Sequence, residues 1–333
     1  MKYLESISKT FNYFNIINIS ISLFSKVYVF NRIRTKKLIR ELNKFLAKFK
    51  HTLNGEQIKR IQFYTIQSCL TNSWFCQLRG KRSNSSEIRK AIYLGAITPL
   101  LDDLVDSEKI NSYQILEQIH SVNNESSGIM QIISYLYHEI TTDCGEEFKL
   151  IFTEALIAQD DSISQLQKEK LNHHELFKIT KRKGENWTLL YRNILHNQLI
   201  TGEKEAIRTL GCLLQLTNDA FDIYKDYKNG QQSIYTNADN LEPLYQQFNQ
   251  LTNQMIAQFM ETEYSTKDKR KAIFQIMLII SRGIVCLQQL LLCQKKTDNR
   301  FKIEIYSRKE LICDMEKFGN IWKMMRICHK YSI

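Results

Sequence analysis

Two prolines and eleven glycines are all the turn-forming punctuation in this chain of 333 residues. That is about 4% Gly plus Pro, where average usage gives roughly 12%. Sandwiches, barrels and propellers turn every few residues and draw on both amino acids to do so. Long helices need neither. No period of roughly 20 to 50 residues recurs, which removes solenoid repeats. Hydrophobic residues make up 43% and charged residues 24%, the balance of an ordinary packed globule. The fold class that follows is all-α.

Apolar spacing supports long helices. Over 35–50, Leu38, Leu42, Phe45, Leu46 and Phe49 fall on one stripe, with Lys36, Arg40, Lys44 and Lys48 on another. A helix is expected from Asn54, with Gln57 in capping-box position, past Trp74. Asn84 and Glu87 cap another through Ala91, Leu94 and Ile97 to Asp106, with a kink expected at Pro99. Further helices are expected over 112–121, 128–141, 146–170, 173–197, 204–228, 241–261, 267–294 and 307–330. The polar stretch 229–240 reads as a loop. Residues 35–333 read as a single α-helical domain, and 1–34 as a basic, apolar segment without assigned structure. Ile276 to Cys293 is the longest apolar run outside that segment. Arg282 and two glutamines interrupt it, so it reads as a buried core helix.

The net charge is +11, and residues 1–60 hold thirteen Lys/Arg against three Asp/Glu. Such a start suits anionic lipid, phosphate or nucleic acid, or it is a solvated helical face. Nucleic acid is not the expected partner, because it leaves the acidic motifs below unexplained. The expectation is a cytoplasmic protein that contacts anionic membrane peripherally through residues 1–60, with Leu42, Phe45 and Phe49 available for shallow insertion. A homodimer stays open. Eight cysteines show no CxxC pair and no zinc spacing, which reads as free thiols in a reducing compartment.

Two acidic clusters carry the chemistry. In Asp102-Asp103-Leu104-Val105-Asp106, Asp102 and Asp106 are i, i+4 and Asp103 is i+3 from Asp106. Three carboxylates so close repel one another unless a cation sits among them. In Asn218-Asp219-Ala220-Phe221-Asp222-Ile223-Tyr224-Lys225-Asp226, the i, i+4, i+8 spacing stacks Asn218, Asp222 and Asp226 along one face, flanked by Asp219. Oxygen ligands of this kind suit Mg²⁺, which takes one or two carboxylates plus substrate phosphates. Helical bundles build such sites from facing helices.

DDLVD together with NDAFDIYKD is similar to the two metal motifs of class I isoprenoid synthases, all-helical enzymes that ionise prenyl diphosphates. The resemblance covers about 70–230. It implies a single helical bundle with a central apolar cavity. It implies a Mg²⁺ cluster, for which Mn²⁺ substitutes, on Asp102, Asp103, Asp106, Asn218, Asp222 and Asp226. It also places a diphosphate-binding cation near Lys181-Arg182-Lys183, joined by Lys225; which of the three consecutive residues points inward stays open. Arg79, Arg308 and Lys309 are weaker choices. The Asn218, Asp222, Asp226 spacing resembles the metal triad of terpene cyclases, with Asp222 in place of Ser/Thr and Asp226 in place of Glu. The segment from Gly211 to Asn218, with Gly230 and Tyr235 beyond, and the run Arg89 to Tyr93 resemble squalene/phytoene synthases. Chain-elongating prenyltransferases fit least, since no Arg-Arg-Gly follows DDLVD. Terpene cyclisation is therefore the expected activity, and head-to-head condensation of two prenyl diphosphates the alternative. Trp74, Phe75, Trp187, Tyr191 and Phe221 could face a carbocation or simply fill the core. A di-iron bundle would need two Glu-x-x-His pairs, and only Glu117/His120 fits. P-loops, dinucleotide fingerprints and Gly-x-Ser-x-Gly elbows are absent.

Overall fold

A computed structural model describes residues 32–48, 51–106, 109–121 and 127–331, apart from the side chain of Asp106. Expectations that fall on residues 1–31 or on Phe49 lie outside the described residues. Among the described residues all regular structure is helical. In chain order the helices are α1 (32–47), α2 (Gly55–Leu78), α3 (Ser85–Asp106), α4 (Ser112–His120), α5 (Gly128–Thr141) and α6 (Glu146–Ser162). They continue with α7 (His173–Asn193), α8 (Glu203–Asn229), α9 (Glu242–Glu261), α10 (Thr266–Gln294), α11 (Arg308–Leu311) and α12 (Phe318–Tyr331). Asn54 caps α2 as expected, in a capping box with Gln57, and α3 runs through Pro99 to Asp106 as one helix.

Three helices end differently from the sequence expectation, each for a hydrogen-bonding reason. The helix expected over 146–170 stops at Ser162, passes through a 3₁₀ turn at Ile163–Leu166, and becomes extended at Gln167. There the Gln232 amide donates to the carbonyls of Gln167 and Glu169 at 3.0 and 2.7 Å, replacing intrahelical partners. The helix expected over 173–197 stops at Asn193, because the Arg192 guanidinium donates to the Asn197 and Gln198 carbonyls at 2.8 and 3.1 Å. The helix expected over 307–330 breaks at Ile312 into α11 and α12. In the break Asp314 accepts from the Glu316 N–H at 2.9 Å, and the Asn320 amide donates to the Asp314 carbonyl at 2.8 Å, a local pairing that competes with helix.

The chain clusters into two compact units. The N-terminal unit contains described residues 32–160 and 189–198. In it α2 packs along α3, α3 along α5, and α4 on α5. Helices α2 and α3 approach closely at Gly95, where a Cβ would lie 2.7 Å from Thr65 Cα and 2.8 Å from the Tyr64 carbonyl oxygen. On α1, Leu38, Leu42 and Leu46 are buried, and Phe45 stacks on Tyr135 with ring centroids 5.7 Å apart. The apolar stripe is thus occupied within the unit. Lys36, Arg40, Lys44 and Lys48 stay exposed, leaving charge rather than Leu42 or Phe45 for any lipid contact.

The C-terminal unit contains described residues 161–188 and 199–331. Helix α10 runs through its core and touches α8, α9, α11 and α12. By length and composition α10 could cross a membrane, but 67% of its most apolar window is buried inside the protein, as the sequence expects of a core helix. Helices α7 and α8 cross backbone to backbone at Gly184 and Gly211. A Cβ on Gly211 would lie 2.3 Å from the Gly184 carbonyl oxygen. Gly211→Ala is expected to lower stability by about 3 kcal/mol, because the neighbour is backbone and cannot swing away. Urea unfolding measures this, and a loss below roughly 0.5 kcal/mol would mean that the helices separate freely there.

Candidate functional site

The close helix crossings decide which side chains meet. In the N-terminal unit the Gly95 contact lays α2 along the acidic end of α3. Arg60 and Tyr64, i and i+4 on α2, reach Asp102 and Asp103. The Arg60 guanidinium hydrogen-bonds Asp103 and lies 3.5 Å from Asp102 Oδ2, while the Tyr64 hydroxyl donates to the same Asp102 oxygen at 3.4 Å. Burial works against the Arg60 charge, but the Asp103 hydrogen bond and both carboxylates outweigh it and hold the guanidinium above its ordinary range. Burial and then the Asp102 charge push the Tyr64 hydroxyl well up. The cation that the DDLVD cluster requires is therefore supplied in part by the protein. Sequence reading missed Arg60 and Tyr64, since only the α2–α3 pairing marks them. Asp106 ends α3, and its side chain lies outside the described residues.

In the C-terminal unit the Gly184–Gly211 crossing sets α7 beside the second motif. Asn218 is exposed, Asp222 half-buried and Asp226 buried, and the Asn218 amide donates to Asp222 Oδ2 at 3.2 Å. Asp219 is turned into the protein, where it accepts from the Thr180 hydroxyl at 3.0 Å and from the Gln215 amide at 2.8 Å. Burial pushes Asp219 up to about 6 even against those two hydrogen bonds. Burial, reinforced by the charges of Asp219 and Asp222, pushes Asp226 up to about 7, with Lys225 and Lys183 pulling the other way.

The consecutive Lys181, Arg182 and Lys183 separate cleanly. They lie in the third turn of α7. Lys181 pairs with Glu185 at 3.8 Å and Arg182 with Asp161. Lys183 is the one whose charge acts on Asp219 and Asp226. More positive charge gathers at Tyr224, where Arg308 and Lys228 lie over the ring at 5.9 and 5.8 Å from its centroid. Arg282 lies 5.6 Å over Phe221. Trp74 and Phe75 are buried in the N-terminal unit, while Trp187 and Tyr191 are half-buried. Arg79 is engaged with Glu87 at 3.1 Å.

The donor set on α8 fits Mg²⁺. It offers one amide and two carboxylates, all hard oxygen, in a place where burial, reinforced by neighbouring carboxylates, already raises a carboxyl pKa. Among the described residues no group of three or more His, Cys, Asp or Glu side chains forms a cage. Mg²⁺ rarely needs one, because phosphate and water complete its shell.

The Asp226 shift has a stability consequence. Its pKa is raised in the fold from roughly 3.9 to about 7. A carboxyl raised in this way contributes most below its unfolded value, and that contribution is lost as pH rises through the folded one. Asp226→Asn is therefore expected to melt higher than the parent at pH 8 without divalent ions, with the gap closing toward pH 4. An equal gap at both pH values would show that burial and the neighbouring charges do not strain the ionised Asp226.

A cleft of about 430 Å³ opens elsewhere in the C-terminal unit, lined by Lys170, His173, Leu176, Asn237, Pro243 and Leu244 among others. None of the acidic residues above lines it. No family model, curated protein or solved structure matches the chain, so the reading of the site rests on its residues.

Proposed function

We propose that this protein is a class I isoprenoid synthase, in a helical fold of that type around an apolar cavity, which ionises a prenyl diphosphate and cyclises the resulting carbocation. The observation that carries the reading is the α8 row. Asn218, Asp222 and Asp226 offer hard oxygens while Lys183 and Lys225 bring positive charge to the same place. Carboxylates alone would repel a phosphate, and lysines alone would not gather carboxylates. Metal-bridged phosphate chemistry uses both.

Bound Mg²⁺, or Mn²⁺ in its place, supplies charge that neutralises the departing diphosphate. The residues of the chain do the rest. Asn218, Asp222 and Asp226 hold the ion, and Lys183 and Lys225 act as point charges toward phosphate oxygens. In the N-terminal unit, Asp102 and Asp103 are held by Arg60 and Tyr64 as a pair of carboxylates of their own. Apolar walls exclude water from the allylic cation, and the ring of Trp187 stabilises it by its face.

Incubation with ten-, fifteen- and twenty-carbon prenyl diphosphates tests the proposal. Diphosphate release that requires Mg²⁺ and is stopped by chelation is expected, with cyclic hydrocarbon or alcohol products. A linear or cyclopropyl dimer of the substrate would move the reading to head-to-head condensation. No release from any of the three with Mg²⁺ or Mn²⁺ would end it.

Peripheral contact with an anionic bilayer belongs to the same proposal, since substrate and product are lipophilic. The exposed Lys36, Arg40, Lys44 and Lys48 provide the attraction, at about 1 kcal/mol per residue near the surface. Co-sedimentation with phosphatidylserine vesicles is expected to fall with salt and with charge reversal at Lys36, Arg40 and Lys44. Equal recovery in the supernatant with and without anionic lipid would rule the contact out.

A further inference from the structure

The last helix of the C-terminal unit turns aromatic rings outward. On its inner side α12 is fixed to α10. There Met325 and Cys328 are buried, and the Cys328 thiol meets the Ser281 hydroxyl at 3.1 Å and the Met277 carbonyl at 3.3 Å. On its outer side Phe318, Trp322, Arg326 and Lys330 follow at i, i+4, i+8 and i+12, and all four are exposed. Phe318 is 79% exposed and Trp322 43%. Lys323 stands exposed beside Trp322, and Lys317 just before Phe318. From Lys317 to Tyr331 the chain holds four Lys or Arg and no Asp or Glu. Glu316 is the nearest exposed acid in sequence.

We infer that α12 docks on an anionic lipid bilayer, with Phe318 and Trp322 entering the headgroup boundary and Lys317, Lys323, Arg326 and Lys330 lying against the anionic headgroups. The inference rests on the bilayer contact proposed above and supplies the apolar part that α1 lacks. On α1, Leu42 is buried and Phe45 stacks on Tyr135 within its own unit, so that helix brings charge alone. Interfacial helices hold by buried apolar area and electrostatic attraction together, and the outer side of α12 offers both. Trp suits this depth, because its ring is apolar and its N–H is polar. Charge complementarity selects the partner. A second copy seated on the same face about a twofold axis would set one basic row against the other, whereas an anionic surface neutralises the row.

Tryptophan fluorescence of the full-length protein tests this, because Trp74 is buried and Trp187 half-buried while Trp322 is exposed. With mixed phosphatidylcholine and phosphatidylserine vesicles the emission is expected to move to the blue and to be quenched by brominated acyl chains. Trp322→Ser is expected to abolish both changes, and pure phosphatidylcholine to produce neither. Phe318→Ser/Trp322→Ser and Lys323→Glu/Arg326→Glu are each expected to weaken co-sedimentation roughly tenfold or more, with melting curves like the parent's because these side chains are exposed. Co-sedimentation with the Trp322 emission unshifted would overturn the docking of α12 and leave the bilayer contact to α1. Recovery of the protein in the supernatant would overturn both. A Trp322 shift that appears with a single-stranded polynucleotide, or on raising the protein concentration, and not with vesicles would overturn the lipid assignment and give the face to nucleic acid or to a second copy.

Discussion

Asn218→Ala, Asp222→Ala and Asp226→Ala are each expected to lower Mg²⁺-dependent turnover by roughly 10²–10³-fold, the usual scale for removing one group that stabilises developing charge. Asp219→Ala is expected to lower it less than about tenfold, since successive helical residues are rotated by about 100° and Asp219 is held by Thr180 and Gln215 on the inner side of α8. Its loss should appear in the melting temperature, because Thr180 and Gln215 then keep buried donors without an acceptor. Steady-state kinetics and thermal melts on the same four proteins separate the two roles. If Asp219→Ala is the most damaging to turnover and leaves the melt unchanged, the ligand pair is Asp219 and Asp222 instead. Asp102→Asn is expected to join the inactive group. Asp103→Asn is expected to cost up to about 1 kcal/mol of stability, since Arg60 loses a partly exposed partner. Mutual repulsion within Asp102, Asp103 and Asp106 acts in the opposite direction. Arg60 outweighs it.

The all-helical class was legible because it follows from a shortage of two residue types, which tertiary packing cannot restore. The capped starts at Asn54 and Asn84 were legible for the same kind of reason, since an Asn three residues before a Gln or Glu satisfies orphan N–H groups locally. The broken ends at Ser162, Asn193 and Ile312 were not. Each depends on a side chain that captures carbonyls, and periodicity does not report where Gln232 or Arg192 will reach. The candidate site divides along the same line. The Asn218, Asp222, Asp226 face is an arithmetic property of one helix and could be read directly. That Lys183 rather than Lys181 or Arg182 acts on that face depends on how α7 crosses α8, and three consecutive basic residues carry no information about it. Gly184 and Gly211 were the available signal. Two glycines in a glycine-poor chain, each inside a long helix, mark a close backbone approach. Arg60 and Tyr64 had a weaker signal of the same type in Gly95.

Arg79→Met is expected to destabilise the N-terminal unit by about 3–5 kcal/mol, the range for stripping one partner from a buried ion pair. Both side chains of the Arg79–Glu87 pair are only 4% exposed. Glu87 also accepts from the backbone N–H groups of Asn84 at 3.0 Å and His196 at 3.3 Å, so it joins the end of α2, the start of α3 and the segment after α7. Burial opposes the Glu87 charge, but the Asn84 N–H, the Arg79 guanidinium and the His196 N–H together outweigh it and hold the carboxyl below its ordinary range. A carboxyl lowered in the fold contributes stability above its unfolded pKa and loses it as pH falls through the folded one. Removing Arg79 takes away one of the groups that keeps Glu87 ionised at little cost. The deficit of Arg79→Met should therefore be largest at neutral pH and narrow on acidification, as Glu87 takes up a proton. Arg79→Met/Glu87→Gln should recover much of the loss, because the glutamine carbonyl still accepts from Asn84 or His196 and no buried charge is left unpaired. Urea unfolding of the parent, the single and the double variant at pH 7 and pH 5 measures all three effects. A single variant within about 0.5 kcal/mol of the parent, with no pH dependence of the gap, would show that Arg79 is free of a structural duty, and would return it to the residues available for binding diphosphate.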